Sequence, residues 1–304
     1  GLGKADVGGA VDQHRIARLN IRAQRRHDTA QHAVFVADML RCQALDAIAA
    51  ALPFNDAVEV LAALEPYRAK RAVLLAAGFG SRLLPVTVNT PKPLARVHGV
   101  RIIDRLIDAV MAAGIDEIYI VRGYLAEEFD QLLSKYPNLH FIDNPLFDQT
   151  NNISSAVAAC GHFERAYVFE SDLFLTNSTL VSKYQYQSNY LGFPVERTDD
   201  WYFDADGEGV IECLAKGKDA PCWQMVGLSY WTAADGARLA HDIPEVFERD
   251  DARQIFWDDV AIVRRPEEYS VHVRRCSPDD ILEIDDFDDL RRIDPAYVVR
   301  HKDA

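Results

Sequence analysis

Between Leu74 and Pro85 the chain reads LLAAGFGSRLLP, and PKPL follows at 91–94. Glycines at 78 and 80 let backbone N–H groups approach an anion without interference from a Cβ. Alone, such a pair often does no more than end a strand. Arg82 and Lys92 change the weighing. Lys92 stands between two prolines, each of which fixes its own φ and restricts the residue before it, so its ammonium is held on a stiffened segment. A glycine turn with two placed cations suits a triphosphate. The segment lacks the Lys-Ser/Thr ending of a P-loop and the third glycine of a dinucleotide fingerprint. Two carboxylates complete the set. Asp172 follows an apolar run at 166–171, where an oxygen ligand for Mg²⁺ belongs, and Asp258 in FWDDV is a second carboxylate, with Asp259 as the alternative.

The elements that must position these groups are legible from periodicity. AVLLAA (72–77), EIYIV (117–121), LHFID (139–143) and AYVFES (166–171) read as short strands. Helical patterns lie between them at 101–114, near 125–135 and near 153–161. In the first, Ile102, Ile103, Leu106, Ile107, Val110 and Met111 fall on one face. The alternation predicts an α/β fold, a Rossmann-like and mostly parallel sheet with helices on both faces and the ligand at the carboxyl ends of its strands. Beyond about residue 175 the spacing suggests strands near 190–195, 200–204, 209–214 and 223–232, an antiparallel or mixed part closing over the sheet. Residues 1–70 read as a helical appendage of unassigned role, and 71–304 as the catalytic domain.

Composition bounds the function. The 304 residues are 49% hydrophobic and 26% charged, ordinary for a globular protein. The formal net charge of −14 is unevenly placed, since residues 1–70 carry nine Lys/Arg against eight Asp/Glu and the remainder 24 against 39. That argues against a long nucleic-acid backbone as partner of the larger part, while leaving room for a small phosphorylated ligand. Five widely spaced cysteines fit neither a disulfide framework nor a zinc site. No apolar run spans a membrane and the N-terminus lacks a secretory pattern, so a cytoplasmic protein is expected. The basic stretch at 15–27 reads as a helix that packs on the catalytic part or on another subunit, leaving a homodimer open, with a nucleic-acid-binding helix as the alternative. His27 and His32 are five apart and do not share a helical face. The acidic run 279–289 reads mostly as solvated surface, with Glu283 and Asp285 available to support a metal site.

The stretch LAAGFGSRLLPVTVNTPKPL resembles the signature of nucleotidyltransferases that include sugar-nucleotide pyrophosphorylases and the small bacterial CTP:phosphocholine cytidylyltransferases. GY (123–124), TNNISS (150–155), FESDLFL (169–175), DDWYF (199–203), FWDDV (256–260) and EIDDFDDL (283–290) extend the resemblance over about 71–304. It implies a glycosyltransferase-A-like fold and a Mg²⁺-dependent enzyme joining CTP to phosphocholine or a similar amino-alcohol phosphate, with release of pyrophosphate. It further implies that Ala76, Ala77, Gly78, Gly80, Gly123, Asn151, Asn152 and Ser154 line the nucleotide site. Arg82 and Lys92 would act on the phosphates, with Asp172 and Asp258 on the metal. Asp200, Trp201, Tyr202 and Trp257 would hold the acceptor, aromatic faces beside carboxylates being what an ammonium recognises. 2-Aminoethylphosphonate is an alternative acceptor, and a sugar 1-phosphate a further one. A nucleotide-sensing regulator without turnover is the alternative from another class.

Overall fold

The computed structural model describes residues 62–249 and 251–298. The chain separates into two compact units, Gly1–Arg68 and Ala69–Ala304. Most of the first lies outside the described residues, and with it the expected helices at 1–61, the basic stretch at 15–27, and His27 and His32. What is described of it is residues 62–68, helical at 62–64 and followed by a short 3₁₀ turn, Glu65–Tyr67.

The second unit is built on the strands β1 (Arg71–Ala76), β2 (Arg96–Val97), β3 (Val100–Arg101), β4 (Glu117–Arg122), β5 (Leu139–Asp143), β6 (Ala166–Glu170) and β7 (Leu173–Leu175). They are followed by β8 (Asn189–Val195), β9 (Thr198–Ala205), β10 (Ile211–Lys218), β11 (Cys222–Trp231), β12 (His272–Arg275) and β13 (Ile281–Glu283). The helices are α1 (Ile102–Ala112), α2 (Ile153–Ala159), α3 (Ala233–Phe247) and α4 (Phe287–Ile293). The segment expected to be helical near 125–135 is a 3₁₀ helix, Ala126–Ser134.

Among the described residues the main sheet has nine strands, with β10-β9-β11-β6-β1-β4-β5 along its path, β8 paired to β11 and β12 paired to β8. Strands β6, β1, β4 and β5 are parallel, whereas β11 runs antiparallel to β6 and opens the second half of the sheet. Strand β1 lies in the middle of the parallel part, which explains its unbroken apolar run: both of its faces are covered. On one face Leu74 and Ala72 pack with Leu106, Ile107 and Val110 of α1; on the other Val73 and Leu75 join a core that includes Ile153 of α2 and Leu239 and Ile243 of α3. Each fully buried aliphatic side chain contributes roughly 1.5–3 kcal/mol of transfer free energy. Met111 departs from the expected face and is exposed. It sits at the edge of the apolar arc of α1, about 100° per residue setting the spacing, and in the helix's last turn.

A third, smaller core joins Leu83, Ala95 and Val97 to Phe174, Ile284 and Leu290. It ties the loop after β1 to the end of the chain through the β7/β13 ladder, where Leu173 pairs with Glu283. Helix α4 begins with a capping box between Asp286 and Asp289, and Asp289 also accepts from the Asp285 amide at 2.9 Å. The acidic members of the run 279–289 are exposed or half-buried, as expected of a solvated surface. Its apolar members Ile281 and Ile284 are core, and its Asp285 carboxylate is held by Arg82 and Lys92. The described cysteines, Cys160, Cys213, Cys222 and Cys276, are free thiols. Among the described residues no helix is long and apolar enough to cross a membrane.

Candidate active site

An open cleft of about 620 Å³ lies over the carboxyl ends of β1 and β6, where the parallel sheet gives way to its antiparallel half. Gly80 has φ of +62°, a left-handed conformation that side chains rarely adopt, and a Cβ there would stand 2.8 Å from that of Lys92. The glycine thus lets the loop fold back onto the lysine segment. The Gly80 carbonyl accepts from Thr87 Oγ1 and from the Leu83 amide, both at 2.9 Å, which closes the turn and presents Arg82 to the cleft.

Lys92 Nζ donates to Asp172 Oδ2 at 3.0 Å and to Asp285 Oδ1 at 3.5 Å, and Arg82 lies 2.9 Å from the same Asp285 oxygen. The two cations named from sequence are brought together by a carboxylate 193 residues from the lysine. Asp172 also meets Glu170 and Glu283, each offering an oxygen within 4.8 Å of the others. Asp258 is not one of these three. The crowding shows in the titration of the group. Burial raises Glu170 well above the usual carboxylate range, with Asp172, Asp258 and Glu283 adding to the effect. Glu283 is pushed up to about 8 by burial and by Asp172, Asp285 and Asp200, against the pull of Lys92. Asp258, 2% exposed, is pushed up to about 7 by burial and by Asp259. Buried without a hydrogen-bond partner are Asp172 Oδ1 and Asp258 Oδ1.

Ala76, Ala77, Gly78, Gly80, Asn151 and Asn152 all line the cleft. Asn152 joins its two sides: Nδ2 donates to Glu170 Oε1 at 3.2 Å, and Oδ1 accepts from the Trp257 amide at 2.9 Å. Gly123 and Ser154 lie behind the lining. A Cβ on Gly123 would stand 2.6 Å from the Phe147 ring, which in turn packs on Phe79 at 5.2 Å; Ser154 Oγ accepts from buried Asn144 at 2.9 Å. These two support the wall without forming it.

The expected acceptor residues divide. Trp201 lines the cleft with Asp200, meets Phe256 edge-on at 5.2 Å, and carries Lys216 Nζ over its face at 6.0 Å. Trp201 pairs with Lys216 across β9 and β10, so both side chains share one face of the hairpin. Tyr202, the next residue along the strand, takes the opposite face, as alternation requires, and sits under Lys218. Trp257 is 1% exposed and packed against Phe163, Tyr190 and Trp231. It is core beneath the cleft, and the expectation that it touches the acceptor does not hold; its large apolar ring is better buried than its neighbour Phe256, which lines the cleft. Sequence reasoning missed Glu170, Lys216 and Phe256. Glu170 had a signal, since it stands two residues before Asp172 in FESD. Lys216 had none, because only the hairpin register places it beside Trp201.

Residues 72–189 match the MobA-like NTP transferase domain. The chain is 35% identical to the 2-aminoethylphosphonate cytidylyltransferase of Lancefieldella rimae over 75% of its length and 93% of that protein. It is 27% identical to the choline-phosphate cytidylyltransferase of Streptococcus pneumoniae, over 74% of this chain and 96% of that one. A solved structure of the CTP:phosphocholine cytidylyltransferase from Streptococcus pneumoniae superposes with a TM-score of 0.69 at 27% identity, covering 75% of this chain and 99% of the other. With its parallel sheet, glycine loop and carboxylate cluster, this chain belongs to the cytidylyltransferase family of nucleotidyltransferase enzymes.

Proposed function

We propose that the enzyme transfers the cytidylyl group of CTP to a small acceptor carrying a phosphonate or phosphate at one end and an ammonium at the other. 2-Aminoethylphosphonate is the acceptor this reading favours. The observation that carries it is the division of the aromatic residues. A cage for a quaternary ammonium needs several aromatic faces. Here Trp201 and Phe256 line the cleft, Tyr202 and Trp257 do not, and Asp200, Asp258 and Asp259 stand beside them. Phe79 and Phe147 also line the cleft, but beside the glycine loop, so the wall around Trp201 is richer in carboxylates than in aromatic faces and suits an ammonium that donates hydrogen bonds. Phosphocholine is the second reading, favoured by the similarity to the choline-phosphate enzymes.

In the step proposed, an oxygen of the acceptor's phosphonate attacks the α-phosphorus of CTP, a P–O bond forms, the α–β bridging bond breaks, and its electron pair leaves with pyrophosphate. The attacking oxygen is already anionic, so no general base is required. The glycine loop at 78–80 and the Asn151/Asn152 pair hold the nucleotide. Arg82 and Lys92 neutralise its phosphates, exchanging Asp285 and Asp172 for phosphate oxygens. Lys216, which makes no ion pair among the described residues, is free to meet the acceptor's anionic end.

A hard divalent cation fits the donor set, because Glu170, Asp172 and Glu283 offer only oxygen and Asp172 Oδ1 lacks a partner. Those three residues would hold Mg²⁺, which when bound supplies charge neutralisation between the two anionic substrates. This reading moves the second metal ligand from Asp258 to Glu283. Residues 71–304 are proposed to suffice for chemistry, as relatives of about that length are matched nearly end to end. Pyrophosphate release with CTP and Mg²⁺ tests the proposal on four acceptors: 2-aminoethylphosphonate, phosphocholine, phosphoethanolamine and glucose 1-phosphate. Release with the aminophosphonate above the rest is expected. Release with the sugar phosphate alone would overturn it.

A further inference from the structure

Two hydrogen bonds behind the cleft run in series toward the glycine loop. Tyr124, just past the end of β4, donates from its hydroxyl to the Thr87 carbonyl at 2.9 Å, and Thr87 Oγ1 in turn donates to the Gly80 carbonyl at 2.9 Å. The Tyr124 amide also donates to the Ala77 carbonyl at 3.0 Å, so one residue holds both ends of the segment 77–87. Thr87 is 1% exposed, and solvent does not compete for its hydroxyl. Its methyl faces the loop as well: a Cβ on Gly80 would stand 3.1 Å from Thr87 Cγ2 and 2.8 Å from Lys92 Cβ. Gly80 therefore packs against both the threonine and the stem of the lysine. Neither Thr87 nor Tyr124 lines the cleft, so anything they do there they do through other residues.

We infer that Thr87, itself held by Tyr124, is a positioning residue that sets the spacing between the glycine turn carrying Arg82 and the lysine packed against it. The inference rests on the nucleotide reading above. Two groups of donors would grip the triphosphate, the turn from Gly78 to Arg82 and the ammonium of Lys92, and they grip it only at a fixed separation. A misplacement of about 1 Å can cost about 100-fold in rate. The Leu83 amide also bonds the Gly80 carbonyl at 2.9 Å, so the turn survives without the threonine hydroxyl. What the hydroxyl adds is the register of that turn against the segment leading to Lys92. The Phe79 ring rests on Tyr124 and Phe147 at 5.3 and 5.2 Å, which extends the same support to the first half of the loop. Threonine supplies a donor and a methyl from one Cβ, whereas valine lacks the donor and serine the methyl.

The test separates the two substrates. Transfer from CTP with Mg²⁺, to whichever of the four acceptors above the wild type uses best, is measured in the wild type and in Thr87→Val, Thr87→Ser and Tyr124→Phe, together with inhibition by pyrophosphate and melting curves. Thr87→Val should raise KM for CTP and Ki for pyrophosphate together, by about tenfold, the loss expected of one buried hydrogen bond. KM for the acceptor should stay within about twofold. Thr87→Ser keeps the donor and should recover most of both constants. Tyr124→Phe should move the same two constants in the same direction by about threefold. An unchanged KM for CTP in Thr87→Val would overturn the inference while leaving the nucleotide reading intact. So would equal rises for CTP and the acceptor, or a Ser variant as impaired as the Val variant. No release of pyrophosphate from CTP by the wild type with any of the four acceptors would overturn the nucleotide reading and this inference with it. Should Thr87→Val fail to fold, Tyr124→Phe, which removes only a half-buried hydroxyl, decides.

Discussion

The two sides of the cleft are built by different means. On the side proposed to hold the nucleotide one continuous stretch, 76–94, supplies the glycine turn, Arg82 and Lys92, and the strand that carries it lies within the parallel part of the sheet. On the side proposed to hold the acceptor, Asp200, Trp201 and Lys216 come from a hairpin, where register pairs Trp201 with Lys216, and Phe256 and Asp258 come from a later loop. A phosphate group asks for backbone N–H groups and fixed cations, which a short rigid motif can provide. A small organic head asks for a wall of side chains, which only elements distant in sequence can assemble. The seam between them is Asn152, bonded to Glu170 on one side and to the Trp257 amide on the other.

Substitutions on the two sides should separate. Asp172→Asn is expected to lower turnover by about 10³-fold, because it removes a charge from the carboxylate cluster and the partner of Lys92. Pyrophosphate release with an unchanged melting curve is the check, and near-normal rates would remove Asp172 from the site. Trp257→Ala should cost about 3–5 kcal/mol of stability, as for other large buried aromatics, read from denaturant unfolding. A stable variant with an acceptor defect would return Trp257 to the acceptor wall. Trp201→Ala should instead leave stability nearly unchanged and raise KM for the ammonium acceptor about tenfold, with little effect on CTP; equal effects on both substrates would erase the contrast between the sides. Gly80→Ala should cost about 1–2 kcal/mol from its left-handed backbone alone, with a larger rise in KM for CTP than for the acceptor.

The smallest expected effect concerns pH. Asp258 and Glu283 titrate near 7 and 8 in the folded protein, above the ordinary carboxylate values of about 4. A raised carboxylate binds its proton more tightly folded than unfolded. Its favourable contribution is therefore complete below about pH 4 and is lost progressively as pH rises through 7–8. Metal-free protein should lose melting temperature from this source between pH 5 and pH 8, and Mg²⁺ should restore more of it at pH 8 than at pH 5. Mg²⁺ stabilisation independent of pH would separate the cluster from metal binding.

Much of the parallel half was legible in the residues, since AVLLAA, EIYIV, LHFID and AYVFES carry the apolar runs that a sheet covered on both faces demands. The chain in EIDDFDDL was not, because a row of acidic residues looks solvated until its apolar members, Ile284 and Leu290, are found in the core under Leu83. Trp257 and Tyr202 were misplaced for a related reason: residue type announces that an aromatic has a face to offer, while burial and strand alternation decide which way it points.

By itself the sequence determined the fold class and the glycine-and-cation loop, because periodicity and short-range spacing are local properties of the chain, and it carried the kind of chemistry through its resemblance to the cytidylyltransferases. The tertiary structure alone decided that Glu283 joins Glu170 and Asp172 and that Lys216 stands over Trp201. Those relations depend on β7 pairing with β13 and on the β9/β10 register, contacts set by the closing of the whole sheet rather than by any one segment.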